Sequence, residues 1–107
     1  MTSDVLSALL TSAKLTLRLH TNAFDSEISD LIEACEADLL HRNAIQSDQM
    51  TTVPVDPLIK RAIMTYVRAF FGTPDDPERL KADYDEQKAT LMMTTGFTDW
   101  EETDGQI

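Results

Sequence analysis

The chain has 107 residues, and its 19 Asp and Glu residues outnumber 9 Lys and Arg residues, giving a formal net charge of -10. A chain of this length supplies one modest hydrophobic core, so we expect residues 1–107 to form a single domain. An acidic surface repels the phosphate backbone, which argues against non-specific nucleic-acid binding.

Apolar runs in the sequence are short, and none approaches the ~20 residues that a membrane-spanning helix needs. Residues 1–4 lack the basic start and the apolar block of a signal peptide, so we expect the protein to stay in the reducing compartment where it is made. The lone cysteine, Cys35, fits this expectation because one thiol cannot form an internal disulfide. We therefore expect no contact with a membrane.

Only 3 Gly and 4 Pro occur, mostly where helices would begin or end, so the sequence predicts an all-α bundle of about four helices. The first helix is predicted to begin at a cap formed by Ser3 or Asp4 and to run to about Leu19. Polar and apolar residues alternate over residues 14–20, so a helix that ends near Ser12 and continues as an extended segment stays open. Residues 1–20 are thus the least defined part of the prediction.

The second helix is predicted over residues 24–43, because one apolar stripe recurs at the helical spacing. Asn22 or Asp25 is the expected N-terminal cap. The stripe consists of Phe24, Ile28, Leu31, Ile32, Cys35 and Leu39. The opposite face is acidic and carries Asp25, Glu27, Asp30, Glu33, Glu36 and Asp38.

The third helix is predicted over residues 57–71 and is expected to be the central core helix. Asp56 is its cap, Pro57 occupies the first helical position and Gly72 ends it. Its wide apolar face comprises Leu58, Ile59, Ala62, Ile63, Tyr66, Val67, Phe70 and Phe71. Residues 44–56 before it are polar and are interrupted by Pro54, so they are predicted to form a connecting loop, long enough to be a candidate for a contact.

The last helix is predicted over residues 77–94, with Asp76 as its cap and Pro77 at its first position. Residues 96–107 contain several acids and little to bury, so they are expected to form a flexible acidic tail around Trp100. The residues expected to face the core are Leu80, Tyr84, Leu91 and Met92.

Charge is distributed unevenly along these elements. Residues 22–56 and residues 75–107 each sum to -7, whereas residues 57–74 sum to +3 and residues 1–21 to +1. The central helix is thus a basic element between two acidic blocks. This polarity suits either ion pairing within the chain or contact with an acidic neighbouring subunit, and both interpretations stay open.

No catalytic or metal-binding constellation is recognisable. Cys35 and His41 are separated by about 120° around the predicted second helix, so they do not converge, and Cys35 is predicted to be a core residue. One Cys and two His cannot supply a zinc ligand set. Acids at 75–78 and 83–86 do not have the spacing of a calcium loop and are assigned to a cap and a solvated face. We expect no enzyme activity, cofactor or metal.

Nucleic-acid and aromatic motifs are also sparse. Gly-rich phosphate loops are absent, and the central helix has too few basic groups for a DNA-recognition helix. Met64, Met92 and Met93 are predicted to fill gaps in the core, with an exposed contact pair at 92 and 93 as the alternative. Trp100 is either an anchor inserted into a partner or packs back on its own domain.

Several segments resemble one known family, the small head-tail connector proteins of long-tailed bacteriophages, also called head-completion or adaptor proteins. The resemblance covers roughly residues 20–100 and consists of helix lengths, caps and apolar positions. Its most distinctive part is the ending Gly96 to Trp100. The segments that carry it are residues 25–34, 56–63, 66–72, 84–88 and 95–100.

The resemblance implies a structural protein of the virion without catalytic activity. It implies a helical adaptor that forms a ring of about twelve copies under the portal protein, extends the DNA channel and docks the next neck or tail protein. Family members contact the portal through one end of the bundle and a terminal segment. The candidate residues for portal or neck contact are accordingly Phe97, Asp99 and Trp100.

A ring requires one face of a subunit to meet a different face of the next. We expect the basic central helix to provide one face, through Lys60, Arg61 and Arg68. The acidic partners are expected on the second and fourth helices, at Glu33, Glu36 and Asp83. Surplus acid lining the channel would let DNA pass without being held.

Two other classes of function also fit an acidic helical chain. One is a DNA mimic that occupies the basic site of another protein, and this would bind with a steep salt dependence. The other is a small helical transcription regulator, which would retard a DNA duplex on a gel.

Overall fold

The computed structural model describes residues 1–93 and confirms the all-α prediction, with no strand in this range. The described residues form four α-helices, with one short 3-10 helix in the loop between the second and the third. In chain order the elements are α1 (Ser3–Leu17), α2 (Asp25–His41), the 3-10 helix (Ser47–Met50), α3 (Pro57–Phe70) and α4 (Pro77–Leu91). The predicted acidic tail, residues 96–107, lies outside the described residues.

The α1 segment is one continuous helix, so the alternative of an extended second half is wrong. Arg18 ends the helix in the left-handed conformation, with φ 60°, and its N–H donates to Leu15 O over 3.1 Å. The polar and apolar alternation has a simple origin, because Leu15 is 73% exposed while Leu17 packs at the core edge. Helical spacing and not strand spacing therefore sets which of these leucines is buried.

Both N-terminal caps predicted for the first two helices are corrected. Thr2 caps α1, since its Oγ1 accepts from Val5 N at 3.2 Å, one residue before Ser3. At α2 the capping position is Phe24, which offers no side-chain acceptor.

Neither Asn22 nor Asp25 caps α2, since the helix begins at Asp25 and both side chains contact Lys14 instead. The ammonium of Lys14 donates to Asn22 Oδ1 at 2.6 Å and lies 3.1 Å from Asp25 Oδ1. This tertiary contact between α1 and the start of α2 is not visible in the local sequence.

The connecting segment 44–56 contributes to the core as well as linking helices. Ala44, Ile45, Met50 and Val55 are buried. Thr2 N donates to Met50 O over 3.2 Å, which ties this segment to the start of α1. Its polar composition concealed this packing role, because the four apolar side chains have no regular spacing.

Helix α3 is the central element, as predicted, and packs against each of the other three α-helices. Asp56 Oδ1 accepts from Leu58 N at 2.8 Å, and Gly72 adopts φ 65° just after the helix, confirming both end signals. The apolar face is narrower than predicted, since Leu58 and Phe70 are 47% and 44% exposed. They flank the stripe that faces the core, where α4 covers them only in part.

Helix α4 begins as predicted, with Asp76 Oδ1 accepting from Arg79 N at 3.2 Å. Leu80, Tyr84 and Leu91 are buried, but Met92 is 41% exposed, so its predicted inward position is wrong. Leu91 already lies beside the first turn of α3, and Met92 follows beyond the helix against which α4 packs.

Candidate functional site

The three predicted basic interface residues share one outward surface of α3, which we call the basic face: Lys60, Arg61 and Arg68. All three are exposed. Because successive helical residues turn by 100°, the three lie within about 100° of arc, with half-buried Met64 between Lys60 and the two arginines around the helix. The fold thus places them on one side of α3, with Arg68 about two turns further along the helix than Arg61.

None of these three cations forms an ion pair within residues 1–93. The ion pairs of this part of the chain use the amino group of Met1 and the side chains of Lys14, Arg42 and Lys88. The charge pattern left two interpretations open, ion pairing within the chain or contact with a neighbouring subunit. Among residues 1–93, ion pairing within the chain uses other cations than these three. The described residues leave the basic face open to other partners.

Arg68 also lines a groove of about 480 Å³ between the end of α1 and the turn joining α3 to α4. Arg18 and Arg79 line the same groove, together with Asp75 and Asp76. Sequence reasoning missed Arg18 and Arg79, because only the packing of α1 beside α3 brings these distant residues together.

The predicted acidic residues are not gathered in one place. Glu33 is exposed on the outer surface of α2, and Asp83 is half-buried on α4. The carboxylate of Glu36 lies 2.8 Å from the amino group of Met1, and its side chain is 13% exposed. Glu33 is therefore the most accessible of the three.

A polar cluster that sequence reasoning missed joins α2 to α4, and we call it the α2–α4 polar seam: Asp38, Tyr84 and Lys88. The Tyr84 hydroxyl donates to Asp38 Oδ2 at 2.7 Å, and Lys88 Nζ donates to the same oxygen at 2.9 Å. Arg42 Nε lies 4.0 Å from the other oxygen of this carboxylate. Periodicity had placed Asp38 on the solvated face of α2, and no local signal links it to Lys88.

The seam shifts the pKa values of two of its members. Partial burial opposes ionisation of Asp38, but the hydrogen bonds from Tyr84 and Lys88 and the charges of Lys88 and Arg42 outweigh it, so the pKa of Asp38 is lowered. Burial is the main reason that the pKa of Tyr84 is raised. Asp38 therefore remains an anion and Tyr84 a hydrogen-bond donor.

Cys35 is a core residue, as predicted. It is fully buried, and its thiol donates to the Tyr84 hydroxyl oxygen over 3.6 Å. Burial raises the pKa of Cys35 to about 12, so the nucleophilic thiolate is scarce at neutral pH. His20 and His41 are both exposed. This arrangement is structural packing and does not resemble a nucleophile with its base.

Residues 1–93 contain no group of three or more His, Cys, Asp or Glu residues placed to hold a metal ion. The helices of this part of the chain are too short or too polar for any of them to cross a membrane.

A family model described as phage connector protein matches residues 9–98. The chain belongs to this family. The resemblance seen in the sequence is thereby confirmed, and it supports a structural role in the bacteriophage connector. Neither the curated proteins nor the solved structures contain a significant match to the chain.

The match extends past Met93 and so includes part of the tail. The three residues predicted to contact the portal or neck, Phe97, Asp99 and Trp100, lie outside the described residues. The structure therefore bears on the subunit-interface candidates and not on these three.

Proposed function

We propose that this connector protein forms a ring of about twelve copies beneath the portal protein, in the neck of the virion between capsid and tail. The ring extends the DNA channel and docks the next neck or tail protein. Membership of the connector family supports the general role. The observation that carries the proposed ring contact is the basic face of α3, whose three cations have no ion-pair partner within residues 1–93.

The ring contact joins two different surfaces of the chain. The basic face of one subunit meets acidic residues of the next, foremost Glu33, which is exposed on α2. Asp83 on α4 is a second candidate partner. Glu36 joins only if its ion pair with the Met1 amino group exchanges for one with the neighbour. Opposite charges on two faces fix the register of neighbouring subunits and favour their encounter.

The surplus acid of the chain has a separate role in this proposal. Acidic side chains that line the channel repel the phosphate backbone, so that DNA passes through without specific binding. A lumen lined mainly by Lys and Arg would contradict this part of the proposal.

The tail supplies the contact with the portal or with the next neck protein, through Phe97, Asp99 and Trp100. Aromatic side chains are frequent anchors in protein interfaces, and a flanking acid adds selectivity for a basic rim. Truncation after Met93 is expected to abolish docking on the portal while leaving the basic face intact.

The central experiment is electron microscopy of the protein mixed with its portal. We expect Arg61→Glu to prevent ring formation, because it places like charges at the contact. Lys81→Glu is the matched control, since it makes the same charge change at an exposed position on α4 outside the basic face.

A second variant tests the specific pairing. If Arg61 meets Glu33 of the neighbour, adding Glu33→Arg to Arg61→Glu restores rings by exchanging the two charges. Normal rings formed by Arg61→Glu alone would contradict the proposed contact. If Arg61→Glu prevents ring formation and the added Glu33→Arg does not restore it, Arg61 pairs with an acid other than Glu33.

A further inference from the structure

A second groove lies between α1 and the loop that precedes α3, and we call it the Val53 groove. It has a volume of about 310 Å³. Its side chains are mostly apolar, and Lys60 is the one charged residue among those that line it. Val53, one of the residues that line it, is 52% exposed.

The end of α4 lies close to this groove. Leu91 shares a small cavity with Leu58 and Arg61, in the first two turns of α3. Pro57 and Lys60, from the same turns, line the Val53 groove. The chain therefore leaves α4 beside the start of α3, and the groove adjoins that same stretch of helix.

The length of the tail suffices to bridge the two places. The end of α4 and the Val53 groove both border the first two turns of α3. An α-helix with its side chains is about 10–12 Å across, so the tail must span a distance of this order to reach the groove. Trp100 follows Met93 by seven residues, which reach up to about 23 Å when extended. Trp100 can therefore reach the groove of its own chain.

The chemistry of the tail matches that of the groove. Trp100 is flanked by Asp99, Glu101 and Glu102. An indole ring gains most from an apolar site that leaves one edge near water, and the Val53 groove offers such a site. The neighbouring carboxylates would lie near Lys60 and Arg61, which have no ion pair within the described chain.

We propose that the acidic tail docks back on its own domain, with the Trp100 indole in the Val53 groove and the acids at 99–102 against Lys60 and Arg61. The occupant is this chain's own segment, because reach and charge both fit it. The docked tail covers two residues of the basic face. The docked state is that of the free protein, and the tail leaves the groove when it contacts the portal or neck protein. This exchange and the competition with a neighbouring subunit, unlike the docking itself, rest on the proposed function.

Trp100 is the single tryptophan of the chain, so its fluorescence reports directly on docking. The dilute full-length protein is compared with a peptide of residues 94–107 by emission maximum and by quenching with acrylamide, an uncharged quencher. We expect blue-shifted emission and several-fold weaker quenching in the full chain. Val53→Asp should return both to the values of the peptide.

A second variant, Lys60→Glu, tests the charged contact, and each of the two variants has a matched control. Leu15→Asp places the same charge at another exposed apolar residue, outside the groove lining, and should leave the fluorescence unchanged. Lys60→Glu should increase quenching most at low salt, whereas Lys81→Glu should not. Circular dichroism checks that each variant keeps its helices, which is expected because all four positions are exposed.

Three results would overturn the docking proposal. The first is peptide-like fluorescence in the full chain, and the second is protection that survives Val53→Asp. The third is protection that disappears on dilution, because it would place the tail in the groove of a second copy. All measurements use the protein without portal, so their failure leaves the proposed ring untouched.

Discussion

Charged residues are used in opposite ways by two regions of this molecule. In the α2–α4 polar seam, Lys88 and Asp38 are half-buried and share a hydrogen bond of 2.9 Å. On the basic face of α3, Lys60, Arg61 and Arg68 are exposed and form no ion pair within residues 1–93. The seam joins two helices of one subunit, whereas the side chains of the basic face border grooves beside α3 and remain exposed to solvent.

This contrast separates charges that stabilise the fold from charges available for assembly. Removing a partner from the seam leaves a half-buried polar group without a hydrogen bond, which lowers the free energy of unfolding. Removing an exposed cation costs little, because water replaces whatever weak contact it made. Stability and assembly measurements should therefore respond to different sets of substitutions.

The largest effect on stability is expected for Tyr84→Ala in the seam. This change removes a buried ring that lies edge-on to Tyr66, with centroids 5.1 Å apart, and also removes the hydrogen bond to Asp38. We expect a loss of about 3–5 kcal/mol in the free energy of unfolding, measured by urea denaturation. Tyr84→Phe, which keeps the ring, should lose much less. Equal losses in the two variants would show that the hydroxyl alone holds the seam.

A smaller effect is expected for Asp38→Asn, which weakens both hydrogen bonds of the seam. We expect a loss of about 1.5 kcal/mol in urea denaturation, since charge-assisted hydrogen bonds are replaced by neutral ones. Asp85→Asn is the matched control, because that carboxylate is 73% exposed and 3.9 Å from the same ammonium. If Asp85→Asn lowered the free energy of unfolding as much as Asp38→Asn, the stabilising contact of Lys88 could not be assigned to Asp38.

The stabilisation by Asp38 should depend on pH. Its pKa is lower in the folded state, so its contribution is complete above the unfolded value of about 3.9 and is lost as pH falls through the folded pKa. The difference in unfolding free energy between the wild type and Asp38→Asn should therefore shrink in acid. Urea denaturation at a series of pH values measures it. A difference that stays constant into strong acid would exclude Asp38 ionisation as its source.

The smallest effect on stability is expected at the basic face. Arg61→Glu and Arg68→Glu should each leave the free energy of unfolding within about 0.5 kcal/mol of the wild type, because both side chains are exposed and unpaired in the described chain. The same urea denaturation experiment measures this. A loss comparable to that of Asp38→Asn would mean that these cations stabilise the isolated fold, and the contrast with the seam would fail.

Elements with local signals were predicted well from the sequence. Asp56 and Asp76, each followed by proline, begin α3 and α4 as expected, because a cap and its helix are adjacent in the chain. The prediction for the cap of α2 was wrong: the capping position is Phe24, and the side chains of Asn22 and Asp25 contact Lys14 on another helix. Met92 was assigned inward since periodicity does not reveal where a neighbouring helix begins.

The candidate interface was predictable in part. Helical spacing places Lys60, Arg61 and Arg68 on one side of α3, and the fold leaves that side exposed. The same reasoning grouped Glu36 with Glu33 as outward acids, but the amino group of Met1 covers Glu36. Solvent exposure of a charged residue depends on what packs beside it, which periodicity alone does not contain.

By itself, the sequence determined the four helices of residues 1–93, the starts of α3 and α4, the stop after α3 and the alternation of acidic and basic blocks, because each follows from residues close together in the chain. The tertiary structure decided which charges are paired. Asp38 and Lys88 are 50 residues apart and meet only because α2 and α4 pack near each other. The cations of α3 remain unpaired among the described residues because none of the acids there comes within ion-pair distance.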